Sequence, residues 1–234
     1  FHLENGTDGI VTCGCTGEPA TLSMEEHKHL IKFTVDIVDK KIPVIAGTGS
    51  NNTKESLELT SFAKEVGCDG CLLITPYYNK PTQKGLYLHY KTIAESVDIP
   101  IILYNVPSRT GISISPETVA ELSKIKNIVG IKEASGNFDQ IYKIISLVDK
   151  DFVVLSGDDA LTLPIIAVGG KGVVSVAANI VPKEMSTMVK YALNGQMEKA
   201  REIHYKLYPI FKVLFIETNP IPVKTSLSLM GMIK

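Results

Sequence analysis

Short apolar runs recur between residues 9 and 176, at intervals of 20 to 34 residues. They are rich in Ile, Val and Leu, and they lack the alternation of polar and apolar positions that marks a half-buried strand. Strands buried on both faces have this composition, so the runs predict a parallel sheet. The runs cover residues 9–13, 43–47, 70–74, 99–104, 128–132, 152–156 and 172–176.

Helical signals separate the apolar runs. The sequence Ser-Met-Glu-Glu at positions 23–26 is a capping box, which satisfies free backbone N–H groups where a helix begins. Asn-Thr-Lys-Glu at positions 52–55 repeats the pattern, and Ser115 before Pro116 predicts an N-cap followed by a first-turn proline. Further helices are expected over residues 86–96, 138–148, 160–168 and 182–193, and Gly6, Gly67 and Gly195 fall where helices should end.

The alternation of strands and helices gives an α/β fold with seven strand–helix units, as in a doubly wound sheet or a (β/α)8 TIM barrel. No G-x-G-x-x-G motif follows the first run, so the barrel is favoured. A barrel needs eight strands, and residues 1–5 resemble the end of a first helix, so the first strand is expected to be absent from this sequence. We therefore predict a barrel over residues 1–194 and a truncated C-terminal helical region over residues 195–234.

Composition narrows the class of protein. Hydrophobic residues make up 44% of the 234 residues and charged residues 21%, as in an ordinary globular protein. The formal net charge is −1 and no basic cluster appears, which argues against a nucleic-acid partner. No apolar stretch approaches the roughly 18 residues of a membrane span, so no membrane partner is expected.

Four cysteines, at positions 13, 15, 68 and 71, form C-x-C and C-x-x-C pairs. This spacing admits a zinc site. The favoured interpretation is that they are free thiols, because Cys13 and Cys71 lie in apolar runs where cysteine behaves as a small hydrophobic residue. Such usage predicts a reduced protein in the cytoplasm.

The side chains that could take part in catalysis lie where the predicted strands end. A parallel barrel carries its active site at that edge. Lys132 closes an apolar run, where burial would lower the pKa of its amine and make it a nucleophile toward a ketone. The alternative is a strand-end lysine whose ammonium reaches solvent.

Three more residues strengthen the case for imine chemistry at this edge. Tyr104 ends the neighbouring run and is placed to move protons, although it is also a suitable core-edge aromatic. Arg109 offers a bidentate clamp for a carboxylate, although loop arginines are commonly just exposed. Thr16, in a glycine-rich turn, offers a hydroxyl and backbone N–H groups to a small carboxylate.

The motifs around these residues are specific. They are Gly-x-Thr-Gly-Glu at 14–18, Tyr-Tyr-Asn-Lys-Pro at 77–81, Tyr-Asn-Val-Pro-Ser-Arg-Thr-Gly at 104–111, Gly-Ile-Lys-Glu-Ala-Ser at 130–135, Ser-Gly-Asp-Asp at 156–159 and Gly-Val-Val-Ser-Val at 172–176. With them the whole chain resembles the dihydrodipicolinate synthase family of class I pyruvate-dependent aldolases and lyases. The resemblance implies a (β/α)8 barrel with a C-terminal helical domain. It also implies condensation of pyruvate with L-aspartate 4-semialdehyde to 4-hydroxy-tetrahydrodipicolinate, in lysine and diaminopimelate biosynthesis.

The resemblance implies a role for each residue of the site. Lys132 forms a Schiff base with pyruvate, Tyr104 relays protons, and Thr16 holds the pyruvate carboxylate. Arg109 binds the carboxylate of the semialdehyde. It further implies that Gly157 and Val174 line the site, and that Tyr78 completes the proton relay of a neighbouring subunit in a homotetramer built as a dimer of dimers. No metal or organic cofactor is implied.

Two departures from the family pattern are visible. Cys15 stands where the family has a second threonine that links the two relay tyrosines, and a thiol is a weaker hydrogen-bonding group, so we expect lower turnover. The family's lysine-feedback site is matched by four residues, but Pro19 and Met24 replace its polar residues, so weak or no inhibition by lysine is expected. The matching residues are His27, Asn51, Glu55 and Tyr77.

Other functions remain open at this stage. Sister enzymes, namely an N-acetylneuraminate lyase or a 2-keto-3-deoxy-sugar-acid aldolase, share the lysine, the tyrosine and the glycine-rich turn, whereas Arg109 and Tyr78 favour the synthase. A catalytically silent barrel scaffold is a remote alternative, raised by Cys15 and the missing strand. A metal-dependent class II aldolase is disfavoured, because no histidine falls at a strand end.

Overall fold

The computed structural model describes all residues, Phe1–Lys234. Its strands form one parallel sheet in the order β1-β2-β3-β4-β5-β6-β7, which confirms the seven predicted strands and the α/β class. The strands are β1 (Ile10–Thr12), β2 (Val44–Gly47), β3 (Gly70–Ile74), β4 (Ile101–Asn105), β5 (Ile128–Glu133), β6 (Val153–Ser156) and β7 (Gly172–Val173).

Strands β4 and β7 depart most from the predicted bounds, each by two or more residues at one end. Strand β4 begins at Ile101 and not at residue 99, because Pro100 has no N–H to donate to the sheet. Strand β7 ends at Val173 and not at residue 176, and the N–H of Val174 makes the last hydrogen bond to β6, to the carbonyl of Ser156 at 2.9 Å. The N–H groups of Val176 and Ala177 donate to the carboxylate of Asp159 and not to a neighbouring strand.

Ten α-helices cover the predicted helical segments: α1 (Met24–Val38), α2 (Thr53–Glu65), α3 (Gln83–Ser96), α4 (Pro107–Thr110), α5 (Pro116–Leu122), α6 (Phe138–Leu147), α7 (Thr162–Ala167), α8 (Pro182–Leu193), α9 (Met197–Val213) and α10 (Ile221–Leu229). Residues expected to end a first helix form a short 3₁₀ turn, Leu3–Asn5, which stops at Gly6 in a left-handed conformation. None of the helices combines the length and the apolar character needed to cross a lipid bilayer.

The predicted helix caps have mixed outcomes. Ser23 and Glu26 form both hydrogen bonds of a capping box, and Ser115 accepts from the N–H of Thr118 as expected. The capping box predicted at positions 52–55 is wrong: Asn52 caps α2 alone, through the N–H of Lys54. The carboxylate of Glu55 instead accepts from the hydroxyl of Ser50, at 2.7 Å, and from the side chain of Asn52.

The sheet is open between its two edge strands, so the structure shows a seven-stranded α/β sheet rather than a closed barrel. A cavity of about 640 Å³ lies at this opening, with Val11 of β1 on one side and Val173 of β7 on the other, and it reaches inward as far as Lys132.

Two large clusters of buried side chains hold the molecule together. The larger one lies between the sheet and helices α1, α2, α3, α5 and α6, and includes Ile31, Leu73 and Ile131. The other joins α7 and α8 to the C-terminal helices, with Met188 packed among side chains that include Leu207 and Phe211. The helices after Gly195 thus bury their apolar faces against the end of the sheet domain, and the domain boundary at that residue stays a prediction.

Candidate active site

Lys132 and Tyr104 lie side by side at the carboxyl ends of β5 and β4. The register of the two parallel strands pairs Tyr104 with Lys132, and the Nζ of Lys132 lies 4.2 Å from the centroid of the Tyr104 ring. Only 7% of Lys132 and 5% of Tyr104 are exposed, so the amine lies inside the site and does not extend into bulk solvent. The alternative of a strand-end lysine with a solvated ammonium is therefore wrong.

Burial lowers the pKa of Lys132 to about 8, and the positive charge of Arg109 acts in the same direction. Cys15 and Asp159 oppose this shift, because negative charge favours the ammonium. With this pKa, roughly one amine in ten is neutral at pH 7, against fewer than one in a thousand for an ordinary lysine. The site thus supplies a nucleophilic amine near neutral pH.

Gly157 leaves the space that the Lys132 side chain occupies. A Cβ atom at Gly157 would lie 3.1 Å from Cε of Lys132 and 2.6 Å from Cβ of Ala134. The Gly157 N–H donates to the carbonyl of Glu133 at 2.8 Å, which ties the end of β6 to the end of β5. Val174 lines the same cavity as Lys132, so both lining residues expected from the sequence lie at the site.

The thiol of Cys15 lies beside the phenol of Tyr104, in the 3₁₀ turn Cys15–Gly17. The pKa of Tyr104 is raised well above its usual value, chiefly by burial and further by the charge and hydrogen bond of Cys15, while Arg109 lowers it. The phenol is therefore protonated at neutral pH. Cys15 is the least buried of the four free thiols, and burial raises the pKa of Cys68 to about 11 and of Cys71 to about 12.

Asn219, between α9 and α10, connects the two predicted carboxylate-binding residues. Its side-chain amide donates to the Thr16 hydroxyl at 3.0 Å, and its carbonyl accepts from Nη2 of Arg109 at 2.6 Å. The Oδ1 atom of Asn219 is buried and has no partner. Since Thr16 accepts this hydrogen bond, its hydroxyl proton is left free to donate to an anion.

Sequence reasoning missed Asn219, and it gave no role to two buried carboxylates in the strand-end motifs that it singled out. Asp159 follows β6 and accepts from the hydroxyl of Ser175 at 2.5 Å, and burial raises its pKa. Glu133 ends β5 directly after Lys132. The Asp-Asp and Lys-Glu dipeptides at the strand ends are the sequence signals for these two carboxylates. No signal in the sequence marks Asn219, which contacts Thr16 across more than 200 residues.

Tyr78 is the one predicted catalytic residue that the single chain does not bring to Lys132. It is 90% exposed, whereas Lys132 and Tyr104 are buried. Its backbone adopts a left-handed conformation with a φ of 69°, which is uncommon for a residue with a side chain. The loop thus holds this aromatic ring out in solvent.

The predicted regulatory residues lie around the loop after β2. The Nε2 of His27 lies 2.8 Å from the carbonyl of Gly47, and burial lowers the pKa of the ring, so it is neutral and donates. The carbonyl of Asn51 accepts from the side chain of Asn79 at 3.0 Å. Glu55 is held by Ser50, and Tyr77 is half-buried next to Tyr78. The cluster thus offers one carboxylate and one neutral imidazole.

The structure contains no group of three or more His, Cys, Asp or Glu side chains with the arrangement of a metal site. The C-x-C and C-x-x-C pairs therefore do not converge into the zinc cluster that their spacing admits. Cys13, Cys68 and Cys71 are buried as free thiols, in line with the favoured interpretation.

Comparison with known proteins gives one consistent family. The model of the dihydrodipicolinate synthetase family matches residues 1–234. A 4-hydroxy-tetrahydrodipicolinate synthase from Syntrophus aciditrophicus is 60% identical over 233 residues, which cover 100% of this chain and 80% of that protein.

Solved structures of the same family share the fold. A dihydrodipicolinate synthase from Aquifex aeolicus superposes with a TM-score of 0.99 at 55% identity, over 100% of this chain and 80% of that one. The Acinetobacter baumannii enzyme, solved in complex with pyruvate, has a TM-score of 0.97 at 48% identity, with coverage of 100% and 80%.

Proposed function

The chain belongs to the dihydrodipicolinate synthetase family, and on this basis we propose that it catalyses the 4-hydroxy-tetrahydrodipicolinate synthase reaction. The enzyme is a lyase that condenses pyruvate with L-aspartate 4-semialdehyde, a step of lysine and diaminopimelate biosynthesis. One observation carries the proposal at residue level: the buried amine of Lys132, with a pKa of about 8, lies against the ring of Tyr104.

The proposed mechanism runs through an imine on Lys132. The neutral amine attacks the ketone carbon of pyruvate, and loss of water leaves a protonated imine. Loss of a methyl proton gives an enamine, whose carbon forms the new C–C bond to the aldehyde. The amine of the semialdehyde then attacks the imine carbon, so the ring closes and Lys132 leaves. Because the protonated imine accepts the electron pair, the sequence of steps calls for no metal or organic cofactor.

The neighbouring residues supply proton transfer and charge. Tyr104 donates and accepts protons at the carbinolamine and imine stages, with the thiol of Cys15 as its hydrogen-bonding neighbour. The hydroxyl of Thr16 donates to the pyruvate carboxylate, and the free edge of Arg109 binds the carboxylate of the semialdehyde. Asn219 makes hydrogen bonds to both Thr16 and Arg109, which supports the proposal that the two side chains bind carboxylates at one site.

We further propose that the sheet is part of a (β/α)8 barrel and that the cavity between β1 and β7 is the position of the eighth strand. The exposed Tyr78 supports an assembly in which it enters the site of a neighbouring subunit, within a homotetramer built as a dimer of dimers. The four free thiols suit the reducing cytoplasm, which is the proposed location.

The assay that tests the function measures product formation from pyruvate and L-aspartate 4-semialdehyde. Parallel reactions with N-acetylneuraminate and with 2-keto-3-deoxy-sugar acids measure pyruvate release. Product from the semialdehyde alone supports the proposal. Pyruvate release from a sugar acid with no condensation product would assign the chain to a sister enzyme, and no reaction with any substrate would favour the silent scaffold.

We expect Cys15→Thr to raise turnover several-fold, because a hydroxyl makes shorter and stronger hydrogen bonds to Tyr104 than a thiol does. The gain should appear in kcat, with the Lys132 imine forming in both proteins. Cys15→Ser is the second variant, because it supplies the hydroxyl without the methyl group of threonine. Cys71→Thr does not serve as a control, because Cys71 is fully buried in the core. Equal kcat values for Cys15→Thr and the parent chain would refute this role of the thiol.

We expect lysine to inhibit the enzyme weakly or not at all. Glu55 and the neutral His27 are in place, but Pro19 and Met24 cannot supply the polar contacts that an amino acid requires. Initial rates at saturating pyruvate, measured against increasing lysine, check this expectation. Half-inhibition at submillimolar lysine would contradict it.

A further inference from the structure

Asn105 and Glu133 form a second pair of facing residues, next to the pair of Tyr104 and Lys132. The register of β4 and β5 aligns Tyr104 with Lys132, and Asn105 with Glu133, in consecutive steps. Successive residues of a strand point to opposite faces of the sheet, so Asn105 and Glu133 face the helices while the chemical pair faces the interior. Both polar side chains are buried.

Every partner of the Glu133 carboxylate is a hydrogen-bond donor. The carboxylate accepts from Nδ2 of Asn105 at 3.0 Å, from the N–H of Ser135 at 2.7 Å and from Nε2 of Gln140 at 3.1 Å. An ionised carboxylate only accepts hydrogen bonds, so it suits three donors. An amide at this position would place its own N–H groups against the N–H groups of these neighbours.

Asn105 extends the network to the next connection of the chain. Its Oδ1 accepts from the N–H of Ile114 at 3.1 Å, and its Nδ2 also lies within hydrogen-bonding distance of the Ser113 hydroxyl, at 3.0 Å. Since Gln140 belongs to α6, the network ties the ends of β4 and β5 to α6 and to the segment before α5.

The backbone pairing of β4 with β5 is irregular, with a register shift between Ile101 and Ile102. After this shift the two strands pair regularly over four residues, and the side-chain network of Asn105 and Glu133 lies at the end of that stretch. The alignment matters, because a slip of one residue would turn Lys132 to the outer face of the sheet.

We propose that Glu133, through Asn105, is a positioning residue that fixes the ends of β4 and β5 and so holds the Lys132 amine against Tyr104. Neither side chain touches the substrate in this role. The inference rests on the proposed function, because its measurable effect is on imine formation at Lys132.

The test compares the rate of imine formation at saturating pyruvate, trapped by borohydride, between the parent chain and Glu133→Gln. We expect a decrease of about tenfold to a hundredfold, because displacement of a reacting group by an ångström has effects of this size. In Asn105→Asp/Glu133→Gln, the amide at position 133 can donate to the carboxylate at position 105. We expect this double variant to recover most of the rate, which a general loss of stability would not allow.

Asn127→Ala is the matched control. Asn127 lies just before the first residue of β5, at the end of the strand opposite Lys132. Its side chain donates to the carbonyls of Ala94 and Val97, each at 3.0 Å. Its loss should lower Tm and leave the rate of imine formation unchanged. If Glu133→Gln does not fold, Gln140→Ala removes one donor from the network at a half-buried position, with an expected decrease of about threefold to tenfold.

An unchanged rate in Glu133→Gln, or in Gln140→Ala where that variant is used, would overturn the positioning role. So would a double variant no faster than Glu133→Gln, or a rate that falls in Asn127→Ala as much as it does in Glu133→Gln. If the parent chain itself gives no adduct on Lys132, the proposed function fails and this inference fails with it. An adduct in the parent chain with no effect in the variants overturns the inference alone.

Discussion

We expect Lys132→Met to form no covalent adduct with pyruvate and to lose turnover by roughly 10⁴-fold or more, as when a nucleophile is deleted. Methionine has a similar length and no charge, so it suits a position that is 7% exposed. The measurement is incubation with pyruvate, reduction by borohydride and location of the adduct by peptide mass spectrometry. In the parent chain the adduct should lie on Lys132 alone.

The pH dependence of trapping tests the same assignment. Imine formation requires the neutral amine, so its rate in the parent chain should rise as the pH passes through about 8, the pKa to which burial brings Lys132. Lys150→Met, at an exposed position, should behave like the parent chain. An adduct on a different lysine, or a folded parent chain with no adduct, would refute the Schiff-base mechanism.

The shifted amine also affects stability, and this effect separates lost chemistry from lost folding. The pKa of Lys132 falls from 10.5 to about 8 on folding, so the unfolded chain binds the proton more tightly. The free energy of unfolding should therefore rise between pH 8 and pH 10.5, and below pH 8 the buried charge costs about 3 kcal/mol. Since Lys132→Met removes this cost, its Tm at pH 7 should exceed that of the parent chain.

We expect Tyr104→Phe to lower kcat by about 10²- to 10⁴-fold, the range that general acid–base groups contribute. The substitution removes only the hydroxyl, so the ring keeps its packing and its contact with the Lys132 amine. Pyruvate should still be trapped on Lys132, but more slowly, because the carbinolamine then loses water without its proton donor. Steady-state rates and the time course of trapping check the two expectations separately.

Tyr90→Phe is the control for this substitution. Tyr90 is fully buried in the core, and its hydroxyl donates to the carbonyl of Leu73 at 3.3 Å, so the variant also loses a buried phenol hydrogen bond. Its kcat should match that of the parent chain. If Tyr104→Phe and Tyr90→Phe have equal and small effects on kcat, Tyr104 has no part in proton transfer.

Much of the fold and of the central site was predictable because the signals are local. Fully apolar runs mark strands that are buried on both faces, and parallel strands end at one edge, which brings Lys132 and Tyr104 together. The cap at Ser23 was readable for the same reason. The capping box predicted at position 52 was wrong because the carboxylate of Glu55 accepts from the hydroxyl of Ser50. The local sequence does not show which of the two nearby donors Glu55 will choose.

The rest of the site depends on contacts between distant segments. Asn219 meets Thr16 and Arg109 across 203 and 110 residues, and an asparagine before a proline has the same appearance as an ordinary turn. The carboxylate of Glu133 was overlooked because it follows Lys132 directly and faces the opposite side of the sheet. Its function as an acceptor becomes visible only when Asn105, Ser135 and Gln140 are placed around it.

The hydrogen bonds of Asn219 join parts of the site that are far apart along the chain. Lys132 and Tyr104 lie in strands whose pairing requires only the first two thirds of the chain, whereas the bond between Asn219 and Thr16 spans 203 residues. We therefore expect that a chain still emerging from the ribosome can pair its central strands while Thr16 and Arg109 still lack their hydrogen bonds to Asn219. If Thr16 and Arg109 bind the substrate carboxylates as proposed, we expect substrate recognition to arise only after the segment between α9 and α10 has docked.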